Sequence, residues 1–220
     1  VNRLQDHLAI VRNRRKPIVH FDKVTNLKGL RLLNPLYNYI AQRQTLRIIY
    51  QSFSAKEPIE YVLCPHLLKE FRNRWFLYGS TANNLTLFNL PLDRIVKVEP
   101  SDKPYRDNPN FDPERFHEDV IGVSKNIGDK PKRVVFWADS NQVGYICTKP
   151  LHSSQRIEDE NPEEGGCVFS INVVVNFELY SVLMSYGPGI KVISPQKVVR
   201  HMRNLMSKAH WLYNKEEKIQ

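Results

Sequence analysis

Apolar and polar positions alternate most clearly between residues 45 and 100. Leu46, Ile48 and Tyr50 alternate with Arg47, Ile49 and Gln51, and Ile59, Tyr61 and Leu63 repeat the pattern after a turn at 54–58. Residues 72–94 then carry two apolar runs, Trp75-Phe76-Leu77-Tyr78 and 85–90. Gly79 and the turn-prone Thr81-Ala82-Asn83-Asn84 lie between them, which is the pattern of a hairpin. Gly79 is expected to break the first strand. Pro91 lacks a ladder donor and is expected to end the second or to make it an edge. Leu92-Asp93-Arg94 turns a corner into the alternating segment 95–99. Five strands in so short a stretch hide their edges best by closing, so the pattern predicts a small five-stranded barrel, Sm-like or SH3-like.

Upstream, Leu4, Leu8 and Val11 have helical spacing and precede the basic run 12–16, with a short β-like run at 18–21. Leu33, Leu36, Tyr37, Ile40 and Ala41 form one stripe of a better helix over about 30–44, with Pro35 in its first turn. Residues 100–131, rich in Pro, Asp and Asn, predict a linker with one short helix near 113–120. Beyond it the pattern gives a strand at 133–138, a helix at 140–148 capped by Asp139 or Ser140, and a strand at 152–158. An acidic loop at 159–166 and a strand at 167–174 follow. Asn176 caps a helix that Gly187-Pro188-Gly189 stops, and a strand at 190–193 leads to Pro195 and a last helix over 196–212. The order βαββαβ plus one helix is that of ferredoxin-like folds. The expected class is therefore α+β, divided as a basic helical connector (1–44), a barrel (45–100), a linker (101–131), a ferredoxin-like C-terminal unit (132–213) and a tail (214–220).

Composition adds little to this, with 41% hydrophobic and 25% charged residues, ordinary for a globular protein. No apolar run approaches the ~18 residues of a membrane span, and the start has no signal-peptide pattern. Cys64, Cys147 and Cys167 are odd in number and widely spaced, which suggests a reducing cytoplasm. The net charge of +9 changes the picture more, because residues 1–50 hold 10 basic against 2 acidic residues while 101–150 and 151–220 are each balanced at 8 against 8. A basic end favours an anionic partner such as nucleic acid, or is a solvated linker, and charge alone leaves both open.

The candidate chemistry gathers in the barrel. Tyr50, His66, Arg72, Arg74, Tyr78 and Arg94 combine guanidinium groups suited to bidentate phosphate contacts, a histidine donor and stacking rings. Against this, Trp75, Phe76 and Leu77 read as core, Tyr50 as core or pocket, and Arg94 as a solvated partner of Asp93 or Glu99. Enzyme readings find little support. Cys64 and His66 lack a second pair at zinc-finger spacing, the other histidines are scattered, and there is no phosphate-binding glycine loop. No cofactor or metal is expected. His152, Ser153 and Gln155 form a structural turn, or else a wall of an effector site or a dimer contact.

Several of these residues together resemble a known family. Arg74-Trp75-Phe76-Leu77 with Leu92-Asp93-Arg94-Ile95 resembles the WYL domain, as do Tyr50 ending the first strand and Pro65-His66 before the hairpin. Phe76 stands where the family has Tyr, and Asn89-Leu90 where Phe-Arg is common. Pro150-Leu151-His152-Ser153-Ser154-Gln155 and Ser185-Tyr186-Gly187-Pro188-Gly189-Ile190 resemble the C-terminal extension that often follows such domains. The resemblance implies a bacterial helix-turn-helix transcription regulator whose barrel senses a nucleic acid or nucleotide. The N-terminal domain that binds operator DNA is expected to be missing from this chain, which begins at Val1. Two-fold operators imply a homodimer, for which 167–174 and the last helix, with Met202, Leu205, Met206, Trp211 and Leu212, offer apolar runs. The competing readings are a structural or dimerisation module without a ligand, and a hydrolase using Cys64 or the histidines.

Overall fold

The structure, a computed structural model, describes residues 28–160 and 162–215. The helix expected over 1–16 and the run at 18–21 lie outside the described residues, as does most of the tail.

A short 3-10 turn at Leu30–Leu32 leads into helix α1 (Leu33–Ala41), and Leu36 on its apolar stripe is fully buried. Five strands follow: β1 (Leu46–Tyr50), β2 (Ile59–Phe71), β3 (Arg74–Thr81), β4 (Leu87–Pro91) and β5 (Ile95–Pro100). They pair antiparallel in the order β4-β3-β2-β1-β5, and the 3-10 turn Leu92–Arg94 joins the two end strands. Leu36 packs with Leu46, Ile48, Leu63, Leu77, Leu90 and Leu92 in one core, so α1 folds with the sheet rather than with a connector ending at 44.

Two local expectations are corrected. β2 does not end near Leu63; it runs on through Pro65 and His66, with a bulge between Pro65 and Leu67. Its hairpin with β3 turns at Arg72-Asn73, both left-handed (φ 50° and 62°), the backbone of a type I′ turn. The Asn73 N–H donates to the Glu70 carboxylate, which supports a turn lacking the usual glycine. Nor does Gly79 break β3. A Cβ there would lie 3.0 Å from the Cys64 carbonyl oxygen, so this glycine lets β3 pass close beside the bulged strand.

The second unit comprises β6 (Lys132–Ala138), α2 (Ser140–Thr148), β7 (Arg156–Asp159), β8 (Cys167–Val173), α3 (Phe177–Met184), β9 (Ile190–Ser194) and α4 (Gln196–Lys215). Its sheet is antiparallel in the order β7-β8-β6-β9. Asp139 and Asn176 cap α2 and α3, their side-chain oxygens accepting from the N–H groups of Gln142 (2.9 Å) and Leu179 (2.8 Å). Alternation along β8 buries Phe169, Ile171 and Val173 against Leu179, Leu183, Val198 and Met202. The apolar run 167–174 is thus core, not the exposed surface suggested by its sequence. β7 starts four residues later than expected. Residues 152–155 form a turn instead, held by Gln155, which accepts from the Leu151 N–H (2.9 Å) and donates to the Ile146 carbonyl (3.1 Å).

The largest departure is the expected linker. Residues 101–131 contain no helix; they form turns that lay Phe111, Phe116 and Val123 over Phe76 and Tyr78 in a third core. The proline and Asp/Asn chemistry of the segment does produce turns, but its apolar side chains bind them down as a strap. The strap then ties into the second unit. The Val174 N–H donates to the Asp119 carbonyl (2.7 Å), and Asn176 Nδ2 donates to the carbonyls of Ile121 (2.8 Å) and Ser124 (3.1 Å).

Candidate functional site

Three arginines from different local structures reach one cleft. Arg72 sits in the β2–β3 turn, Arg74 opens β3, and Arg94 ends the 3-10 corner after β4. The cleft has a volume of about 490 Å³ and is also lined by Tyr50, Phe76, Asn89 and, from the strap and second unit, Ser124, Phe177 and Glu178. That size falls within the ~300–1,000 Å³ typical of small-molecule sites. Phe177 is the first residue of α3. The residues after it turn Leu179 and Leu183 into the core, so Phe177 projects outward and remains 75% exposed.

The cations are only loosely engaged. Arg74 Nε lies 3.9 Å from the Asp93 carboxylate, with half of its side chain exposed. Arg94 does not pair with Asp93 or Glu99 as a solvated partner would, since Glu99 pairs with Lys97 at 2.9 Å. The Arg94 guanidinium instead lies over the Phe53 ring, 4.3 Å from its centroid, and its Nε has no acceptor among the described residues. Three guanidinium groups and one carboxylate line the cleft, and Asp93 stands beside Arg74 at its edge, so the cleft is still net cationic. The lining carboxylate, Glu178, is buried. Its Oε1 accepts from Ser124 Oγ (2.8 Å) and the Val123 N–H (3.4 Å). Gly122 lies against it in the left-handed region (φ 90°), where a Cβ would come within 2.4 Å of Glu178 Cγ; only glycine lets strap and helix meet this closely.

The other two candidate residues lie elsewhere. Tyr78 is 0% exposed, stacked on Phe111 at 5.9 Å, and its hydroxyl donates to the Val123 carbonyl. Burial, with the Glu178 charge adding to it, pushes its phenol pKa well above the usual value. His66 shares hydrogen bonds with the Tyr105 hydroxyl (3.0 Å) and Ser80 Oγ (2.7 Å), and burial lowers its pKa. Tyr105, which donates to the Pro65 carbonyl at 2.8 Å, is pushed up to about 12 by burial. Nearby His117 is brought down to about 4, first by burial and then by the charges of Lys69 and Lys125. Among the described residues no group of three or more His, Cys, Asp or Glu side chains is placed to hold a metal ion.

The family models for the WYL domain and the WCX domain match residues 31–100 and 130–209. The chain carries a WYL domain followed by a WCX domain. The WYL match includes α1 and the whole five-stranded sheet, and the WCX match includes all but the end of α4. Among solved structures, the chain is similar to the proteasome accessory factor B/C (PafBC) of Arthrobacter aurescens, at 16% identity and a TM-score of 0.35, over 89% of this chain and 29% of that one. It is also similar to a CRISPR Cas-related protein, at 13% identity and a TM-score of 0.47, over 83% and 51% of the two chains. The chain thus spans about a third to a half of those proteins. No curated protein matches it.

In these terms the WYL domain supplies Tyr50, Arg72, Arg74 and Arg94 to the cleft, and keeps His66 and Tyr78 beneath the strap. The WCX domain supplies Phe177 and Glu178, which the sequence did not single out. The Asn176 cap and the spacing of Leu179 and Leu183 are the signals that could have marked Phe177 as outward-facing. Nothing in the sequence placed it in one cleft with the arginines.

Proposed function

We propose that this chain is the sensing part of a bacterial helix-turn-helix transcription regulator, and that its cleft binds a nucleotide or single-stranded nucleic acid effector. The observation that carries this is the convergence of Arg72, Arg74 and Arg94 on one cleft that an exposed aromatic ring, Phe177, also lines. Guanidinium groups take phosphate oxygens as bidentate donors, and a base stacked on an aromatic ring gains ~1–3 kcal/mol. Arg74 is half-exposed and its ion-pair contact with Asp93 is long, an arrangement worth ~0–1 kcal/mol, so little opposes handing Arg74 to a ligand. This is a binding module rather than an enzyme. The five-stranded unit reads as Sm-like. The second unit, with its βαββαβ order, reads as ferredoxin-like. A separate helix-turn-helix domain reads the operator.

Titrating a labelled single-stranded oligonucleotide at two salt concentrations tests the site. Affinity should fall with salt, with a log–log slope of about −0.7 per phosphate contacted. No binding, or binding indifferent to salt, contradicts the proposal.

One observation also favours a homodimer through the WCX domain. With β8 buried, this rests on α4 alone, where Met206, Trp211, Leu212 and Tyr213 stay exposed beyond the part of the helix that packs on the sheet. Light scattering at micromolar concentration should give twice the chain mass, and a monomer mass contradicts it.

A further inference from the structure

Arg94 lines two cavities. Besides the main cleft it borders a second one, of about 350 Å³, formed by the loop after β1 and the start of β5 with Gln51, Ser52, Phe53 and Val96. Phe53 is 78% exposed and offers a large ring where a loop ordinarily carries polar residues. The ring is not loose, because the Arg94 guanidinium rests on it at 4.3 Å. Each cavity therefore holds one solvent-exposed phenylalanine, Phe177 in the first and Phe53 in the second, and Arg94 stands on the wall common to both.

We infer that Phe53 is the platform of a second nucleotide subsite, so that the ligand is a strand of at least two nucleotides whose linking phosphate lies at Arg94. The inference rests on the proposed function and deepens it. A nucleic-acid strand repeats the sequence base, phosphate, base, and the protein repeats it as ring, guanidinium, ring. A mononucleotide uses one ring and leaves the other idle. Phe53 and Arg94 already touch, so the second subsite is organised before a ligand arrives, and little ordering opposes binding. Arg94 can keep its flat side on Phe53 while its edge donates to phosphate, because stacking and in-plane hydrogen bonding use different directions of the guanidinium group. The Phe53 ring has two sides, one under Arg94 and one open to a base.

The experiment compares thymidine 5′-monophosphate with the dinucleotide pTpT on the wild-type chain and on Phe53→Ala and Phe177→Ala, with melting curves as the folding control. The wild type should bind pTpT about fivefold to a hundredfold more tightly than the mononucleotide, the gain expected of one further stacked base. In Phe53→Ala that ratio should collapse toward one, whereas Phe177→Ala should weaken both ligands. A wild-type ratio near one, or a Phe53→Ala ratio equal to that of the wild type, overturns the second subsite and leaves the arginine cleft standing. If neither ligand binds the wild type, the proposed function fails and the subsite with it.

Discussion

Arg74, Phe76 and Tyr78 occupy one face of one strand, since side chains two apart on β3 point the same way. Their settings diverge along that face. Tyr78 lies fully enclosed under Phe111 and Phe116 of the strap, its hydroxyl bound to the Val123 carbonyl. Arg74 stands half-exposed in the cleft, and Phe76 marks the border, lining both. The strap decides the difference. It covers the Tyr78 end, turns at Gly122 to meet Glu178, and leaves the Arg74 end open. Residue type alone therefore does not define the site. A tyrosine and a histidine suited to binding a nucleotide become structural once a loop is packed over them, while arginines from the β2–β3 hairpin and from the corner after β4 gather where that loop stops.

The most severe way to break this comparison is to remove the cover. Phe111→Ala takes out a buried ring that contacts Tyr78, Phe116 and His66, and should destabilise the chain by about 3–5 kcal/mol. Calorimetry should show a melting temperature lower by roughly 10 °C or more. A shift of only a degree or two would mean that the strap is a linker after all.

Acid should act on the covered end as well. His117 in the folded chain has a pKa of about 4, against about 6.5 when unfolded. Above pH 7 it is neutral in both states and contributes nothing. As pH falls below 6.5 the unfolded chain takes up the proton while the folded chain does not, so stability is lost progressively down to pH 4. Each tenfold difference in proton affinity between the two states is about 1.4 kcal/mol, which sets a ceiling on the order of 3 kcal/mol. The ring is only partly buried, so solvent screening brings the expected loss down to about 1–2 kcal/mol. His66 and His152, both lowered by burial, add in the same direction. Urea midpoints at pH 7 and pH 4.5 measure this, and His117→Gln should show a smaller acid loss than the wild type. An equal loss in both would show that His117 is not the group responsible.

Most of the fold was legible from pattern. Apart from the end of β2 and the start of β7, the strands of both sheets, the two Asx caps and the helix stop near 187–189 follow from local chemistry and appear close to where expected. The strap was not legible. Its prolines and Asp/Asn residues promised a linker, and only the tertiary fit of Phe111, Phe116 and Val123 over Tyr78 makes it part of the fold. The long β2 was missed for a related reason. The alternation that marks this strand stops at Leu63, but the bulge beside Pro65 and the close approach at Gly79 carry the strand through. Four of the six candidate site residues share the cleft because they flank strand ends, a position that sequence does reveal. Asn89 comes with the hairpin over 72–94, while Phe177 and Glu178 complete the cleft from an element whose proximity no local signal encodes.

A gentler probe joins the two ends. Tyr78→Phe removes the hydroxyl that holds Val123 and should cost about 1–2 kcal/mol, read as a modest fall in melting temperature. Val123 also lines the cleft, so oligonucleotide affinity should drop a few-fold through lost positioning. An unchanged affinity would separate the two ends completely. The smallest effect belongs to Arg72→Ala. This exposed turn residue should change stability by less than about 0.5 kcal/mol and weaken the oligonucleotide less than Arg94→Ala does.

The central claim is that the open end of this face binds an anionic strand through arginines that the fold does not need. Its most direct test is the double variant Arg74→Ala, Arg94→Ala, compared with the wild type for single-stranded oligonucleotide affinity and melting temperature. Charge-assisted contacts contribute roughly 1.5–3 kcal/mol each, so affinity should fall a hundredfold or more while the melting temperature stays within a few degrees. Unchanged binding, or a collapse of thermal stability, would contradict it.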